Sequence, residues 1–182
     1  MKTESTVMYI LRLTVTLLLI TSVVAVALAG INQVTAPIIA ASNEAKTQAA
    51  VNDVLPGGGE SIAFTDESGL ISAVYASESG YAIKVAPNGF GGAIEMMVGV
   101  SKEGTVLGIS IIKHAETPSL GAVAADKGSA GQSFRDSFTG LSGEIAVSKD
   151  GGEADTISGA TITSRAVADG VNAALNWVKN QG

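Results

Sequence analysis

Asp155-Thr156-Ile157-Ser158-Gly159-Ala160-Thr161-Ile162-Thr163-Ser164 runs straight into Ala166, Val167, Val171, Ala174, Leu175 and Val178, which recur at three- and four-residue steps. That spacing predicts a helix with one apolar face. The hydroxyl-rich run therefore lies where the chain enters its last helix. Unpaired backbone N–H groups and the helix dipole favour an anion there, a phosphate included. Gly159 and Ala160 place no bulky side chain over Thr161. The same hydroxyls would also serve an ordinary helix N-cap. No Glu or Gln follows a capping Ser or Thr by three residues, however, so the run is not a capping box.

Upstream, Ser61 to Thr65, Leu70 to Ala76, Gly80 to Ala86, Gly92 to Ser101 and Thr105 to Lys113 carry alternating or β-branched apolar residues. Short turns such as Glu67-Ser68-Gly69 and Glu103-Gly104 separate them. Consecutive strands on short turns imply a mostly antiparallel sheet, and the last helix would cover one of its faces. The predicted class is α+β. Gly89-Phe90-Gly91-Gly92 does not match a dinucleotide fingerprint and reads as turn glycines. After the fifth strand comes His114-Ala115-Glu116-Thr117-Pro118-Ser119-Leu120-Gly121, in which Pro118 stiffens a turn and Gly121 admits close backbone approach.

The N-terminal part is of a different kind. Leu13 to Ile31 is an almost unbroken apolar run of nineteen residues, long enough at helical rise for a ~30 Å hydrocarbon core. Lys2 and Arg12 precede it and few positive charges follow closely, which predicts a cytoplasmic N-terminus over residues 1–12 and a single span over 13–31. Ala27-Leu28-Ala29 would suit a signal-peptide cleavage site, but the run exceeds the usual 7–15-residue apolar region. Thr21, Ala25 and Ala29 put small residues at a spacing of four, which lets another membrane helix approach. Ala36 to Val54 reads as a connecting helix entered through Pro37 and ended by Pro56 and Gly57-Gly58-Gly59. Residues 32–60 are thus a connector and 61–182 a domain facing the outer side of the membrane.

Composition restricts the chemistry. The chain has no cysteine and one histidine, which excludes disulfides, thiolate metal sites, iron–sulfur clusters and a bis-His haem held by this chain alone. From Ala36 onward nine Lys or Arg face sixteen Asp or Glu, a net −7; such a surface repels nucleic acid. Neither a resident metal nor a catalytic side chain is predicted.

Asp155-x-x-Ser158-Gly159-Ala160-Thr161 resembles the flavinylation motif of the FMN-binding domain family, and the segment 114–121 resembles that family's His-x-Glu-Thr-Pro-Gly-Leu-Gly hallmark. The family includes the G subunit of the Rnf electron-transport complex and the C subunit of Na+-translocating NADH:quinone reductase; the shortness of this chain favours the former. The resemblance implies FMN in phosphoester linkage to Thr161, made by a separate flavin transferase, with Ser158, Gly159, Ala160, Asp155 and Thr163 around the acceptor. The methyl group of threonine would hinder loss of the ester. It further implies that Glu116, Thr117, Pro118, Leu120 and Gly121 pack near the flavin, with His114 beside them. Ser119 stands where the family has Gly, so a positive φ there would strain the loop. The implied function is that of an electron carrier in a membrane-bound, ion-translocating ferredoxin:NAD+ oxidoreductase, partnered by the other subunits of that complex and not a catalyst by itself. Two alternatives stand beside it: an anchored binding or assembly module without redox activity, and another anchored FMN-binding electron-transfer protein.

Overall fold

The computed structural model describes residues 6–66 and 68–181, so Lys2 and Glu67 lie outside the described residues. The first element is a helix, α1, over Thr6–Val54. It is long and apolar enough to cross a membrane. Its 49 residues correspond to roughly 73 Å of helix axis, more than twice a hydrocarbon core. From Met8 to Ile39 its large apolar side chains are exposed. The connecting helix expected from Ala36 is not separate, because Pro37 lies inside α1. A proline removes one helical N–H; at this exposed position the chain tolerates the loss and the helix continues.

The described residues divide between Glu44 and Ala45 into two compact units. Among the described residues the second contains five strands: β1 (Glu60–Ile62), β2 (Ile71–Ala76), β3 (Gly80–Val85), β4 (Glu95–Ser101) and β5 (Val106–Lys113). They pair in chain order as an antiparallel meander. Among the described residues three shorter helical pieces follow, a 3-10 helix at Gly121–Ala125, α2 at Ser129–Asp136 and a second 3-10 helix at Ser148–Asp150, before the last helix, α3, at Thr161–Lys179. The architecture is α+β, as the strand and helix patterns imply.

Alternation along the strands sends side chains to two cores. Ile83, Val85, Met96, Val98 and Val100 face α3, which buries Ala166, Val167, Val171, Ala174, Leu175 and Val178 against them. The opposite residues Ala82 and Met97 meet Ala50, Val51, Val54 and Leu55 at the end of α1. A glycine inside α3 has a packing reason: a Cβ at Gly170 would lie 2.8 Å from the Met96 methyl and 2.9 Å from the Pro87 ring. Asn172 clips α3 to the neighbouring loop, donating to the Ile145 carbonyl and accepting from its N–H, both at 2.8 Å. Trp177 donates from its indole to the Thr65 carbonyl at 3.0 Å and packs edge-on against Tyr81. These contacts hold the body of α3 against the sheet and the neighbouring loop.

Candidate functional site

At the start of α3 the hydroxyl run divides into groups that are used and groups that are not. Ala160 holds the N-cap position without any side-chain capping bond. The first helical hydrogen bond runs from the Ser164 N–H to the Ala160 carbonyl at 3.0 Å. The N–H groups of Thr161, Ile162 and Thr163 therefore have no partner among the described residues. Ser164 is fully buried; its hydroxyl accepts from the Ile157 N–H and donates to the Ala160 carbonyl, stitching the approach loop to the helix. Thr163 is buried and its hydroxyl donates to Glu116 Oε2 at 2.6 Å. Thr161 is half-buried, and no hydrogen bond engages its hydroxyl among the described residues.

Glu116 joins three segments. Its second carboxyl oxygen accepts from the Gly91 N–H at 2.9 Å, and the group is buried. Gly121 makes room for the Thr163 bond, since a Cβ there would collide with both the Glu116 carboxyl and the Thr163 hydroxyl. His114 acts locally: its Nδ1 accepts from the Glu116 N–H at 3.3 Å. The loop after Glu116 closes on the Thr117 carbonyl, which accepts from the N–H groups of Leu120 and Ala122. Ser119 has φ of 61°, the left-handed conformation that suits glycine and costs other residues about 1–2 kcal/mol.

Phe90, Glu116, Thr117, Leu120, Gly121, Gly159, Ala160, Thr161, Ile162 and Thr163 line one pocket of about 330 Å³. Ser158, Asp155, Pro118 and His114 do not line it. Asp155 is exposed and contributes its backbone N–H to the Ser137 hydroxyl; its carboxyl caps nothing among the described residues. One turn into α3, Arg165 donates to both carboxyl oxygens of Asp150, at 2.7 and 2.5 Å. That hydrogen bonding, aided by the guanidinium charge, holds the Asp150 carboxyl below its ordinary range and raises Arg165.

Two lining residues, Phe90 and Ile162, escape the sequence reading. Both carry a signal. Phe90 is an aromatic set among three glycines, and Ile162 is an apolar residue between two threonines at the first turn of a helix. Beyond α1, the only large apolar side chains that stand exposed among the described residues are Phe90 (70%), Leu120 (43%) and Ile162 (53%). All three line this pocket.

These groups suit an FMN. A free hydroxyl beside three unpaired N–H groups offers an attachment point in surroundings that favour a phosphate. The exposed apolar trio offers surface to a flat ring, and the volume is that of a small-ligand site. A nucleotide-binding glycine fingerprint is not needed for this mode of holding.

The profile of the FMN-binding domain family matches residues 89–176. The chain is similar to the G subunit of the Na(+)-translocating ferredoxin:NAD(+) oxidoreductase complex of Acetobacterium woodii, 34% identical over 197 residues that cover 94% of this chain and 92% of the other. It is 44% identical over 98 residues to the G subunit of the ion-translocating oxidoreductase complex of Cronobacter sakazakii, an alignment covering 49% of this chain and 44% of that one. Among solved structures, the C subunit of the Na(+)-translocating NADH-quinone reductase of Parabacteroides distasonis aligns with a TM-score of 0.46 at 23% identity, covering 62% of this chain and 63% of that one.

Proposed function

Because the chain belongs to the FMN-binding domain family, alongside the G subunits of ion-translocating oxidoreductase complexes, we propose that it is a membrane-anchored electron carrier with one FMN joined through its phosphate to Thr161. The observation that carries this reading is the pairing of an unengaged Thr161 hydroxyl with the exposed trio Phe90, Leu120 and Ile162 around one pocket. Thr163, the other threonine in the first turn of α3, has its hydroxyl committed to Glu116. Bound FMN supplies the electron-transfer chemistry; the chain supplies tether, orientation and surroundings. The N–H groups of Thr161, Ile162 and Thr163 would face the phosphate, and the Thr117 hydroxyl and loop amides would meet polar edges of the ring. A covalent tether suits a carrier open to solvent, since the cofactor cannot dissociate.

In this reading a separate flavin transferase forms the ester, and Ser158 and Asp155, both exposed beside the acceptor, belong to the surface that enzyme would recognise. Residues 13–31 of α1 cross the membrane with 1–12 in the cytoplasm, which puts the FMN domain of residues 61–182 on the outer side. The chain then passes electrons among the other subunits of an ion-translocating ferredoxin:NAD+ oxidoreductase complex, and neither ferredoxin nor NAD+ binds to it directly. The test is a denaturing gel viewed under ultraviolet light, after production with a flavin transferase. The wild-type chain fluoresces and Thr161→Ala is dark while still folded, because Thr161 is only half-buried and its hydroxyl makes no hydrogen bond among the described residues, so its loss costs on the order of 1 kcal/mol. A fluorescent Thr161→Ala chain would refute the assignment.

A further inference from the structure

Phe90 reads in sequence as an incidental residue of a glycine turn; in the fold its turn is tied by hydrogen bonds on both sides while its ring stays in solvent. We infer that Phe90 is an aromatic wall of the FMN site, on which the flavin ring stacks, an inference that rests on the FMN reading above. The turn is closed on itself by the Gly89 N–H donating to the Gly92 carbonyl and the Ile94 N–H to the Pro87 carbonyl, both at 2.8 Å. Its tip is tied to the second motif by the Gly91 N–H donating to Glu116 Oε1 at 2.9 Å. Neither flanking position accepts a side chain. A Cβ at Gly91 would fall on the Ala115 carbonyl, and one at Gly89 on the Glu116 carboxyl and the Ile94 side chain. The backbone on both sides of Phe90 is therefore fixed.

The ring itself contributes little to the core, being 70% exposed. Glycines in a turn cost conformational entropy on folding, and a large exposed apolar ring adds no compensating burial. A fixed backbone that presents an exposed aromatic is preorganised for a ligand, which then loses less freedom in binding. The same buried carboxyl that holds Gly91 also holds Thr163. The Phe90 turn and the first turn of α3, with Thr161 on it, are thus referenced to one group. Leu120 and Ile162 complete the apolar lining. Stacking between aromatic faces adds attraction beyond the area buried, so Phe90 shifts the balance between docked and solvent-exposed ring by roughly five-fold, equivalent to ~1 kcal/mol.

The test uses the full chain in detergent, produced with a flavin transferase, and measures quenching of flavin fluorescence by iodide at constant ionic strength. Phe90→Ala is expected to carry FMN in the same proportion as wild type, by intact mass, and to be quenched several-fold more readily. Phe90→Trp is expected to restore protection. A flavin-loaded Phe90→Ala chain with unchanged quenching overturns the proposal, as does a Phe90→Leu chain protected as well as wild type, since bulk alone would then suffice. A Phe90→Ala chain that takes no flavin also overturns it, because Phe90 would then serve attachment. A wild-type chain without the FMN mass refutes the covalent reading itself, whatever Phe90 does.

Discussion

Replacing Thr163 by Val keeps the shape of a fully buried side chain and removes its hydroxyl, which donates to Glu116 Oε2 at 2.6 Å. The carboxyl then keeps a single partner among the described residues, the Gly91 N–H. Leaving a buried polar atom unpaired costs about 1–3 kcal/mol. Trp177 gives a direct assay. It is the one tryptophan in the chain, it is buried, and its indole bonds to Thr65 within the sheet domain. Its fluorescence therefore follows unfolding of that domain in urea. At a slope of about 2 kcal/mol per molar urea, Thr163→Val should lower the midpoint by roughly 1 M. In a Glu116→Ala background no carboxyl is left unpaired, so the same change should cost much less. The expected coupling is about 1–2 kcal/mol, and effects that add to within ~0.5 kcal/mol would refute the bond as an energetic link between the two motifs.

Ser119 holds a φ of 61°, so Ser119→Gly should stabilise the domain by about 1 kcal/mol; a lower urea midpoint would show that the serine has some compensating contact. Burial pushes the Glu95 carboxyl up, but hydrogen bonds and charge from Lys113 and Lys84 outweigh it and hold it below its ordinary value. Its stabilising contribution is present above the unfolded carboxylate pKa and is lost as pH falls through the lower folded value, in the range below about pH 4.3. Glu95→Gln should remove that part of the acid dependence of the urea midpoint, and an unchanged slope would contradict the ion-pair account. For topology, Glu78→Cys introduces the sole thiol of the chain at an exposed turn. A membrane-impermeant thiol reagent should label it in intact cells, and labelling only after lysis would reverse the proposed orientation.

The sheet was legible because its strands alternate and its turns are short: β2 and β3 fall within a residue of the expected ends. The apolar stripe of α3 appears as the buried face that period 3.6 requires. Boundaries failed where hydrogen bonding overrode composition. β4 begins at Glu95 because residues 88 and 93 bridge across the Phe90 turn. α2 gave almost no signal, since Phe134 is its only large apolar residue. In the candidate site, motif order put the 116–121 loop and the 159–163 helix start together, and the pocket has both. What sequence could not supply was direction: which of Thr161 and Thr163 keeps a free hydroxyl, and that Glu116 turns inward to bind Thr163 and Gly91. Those outcomes depend on contacts between residues 25 and 47 positions apart.

The most direct test of the central claim is the mass of the tryptic peptide Asp150–Arg165, which contains both Thr161 and Thr163, from full-length chain produced with a flavin transferase. Formation of the phosphoester adds one FMN and releases one water. The account predicts that increment, localised by fragmentation to Thr161, absent in Thr161→Ala and retained in Thr163→Val. An unmodified peptide, or an increment that maps to Thr163, would contradict it.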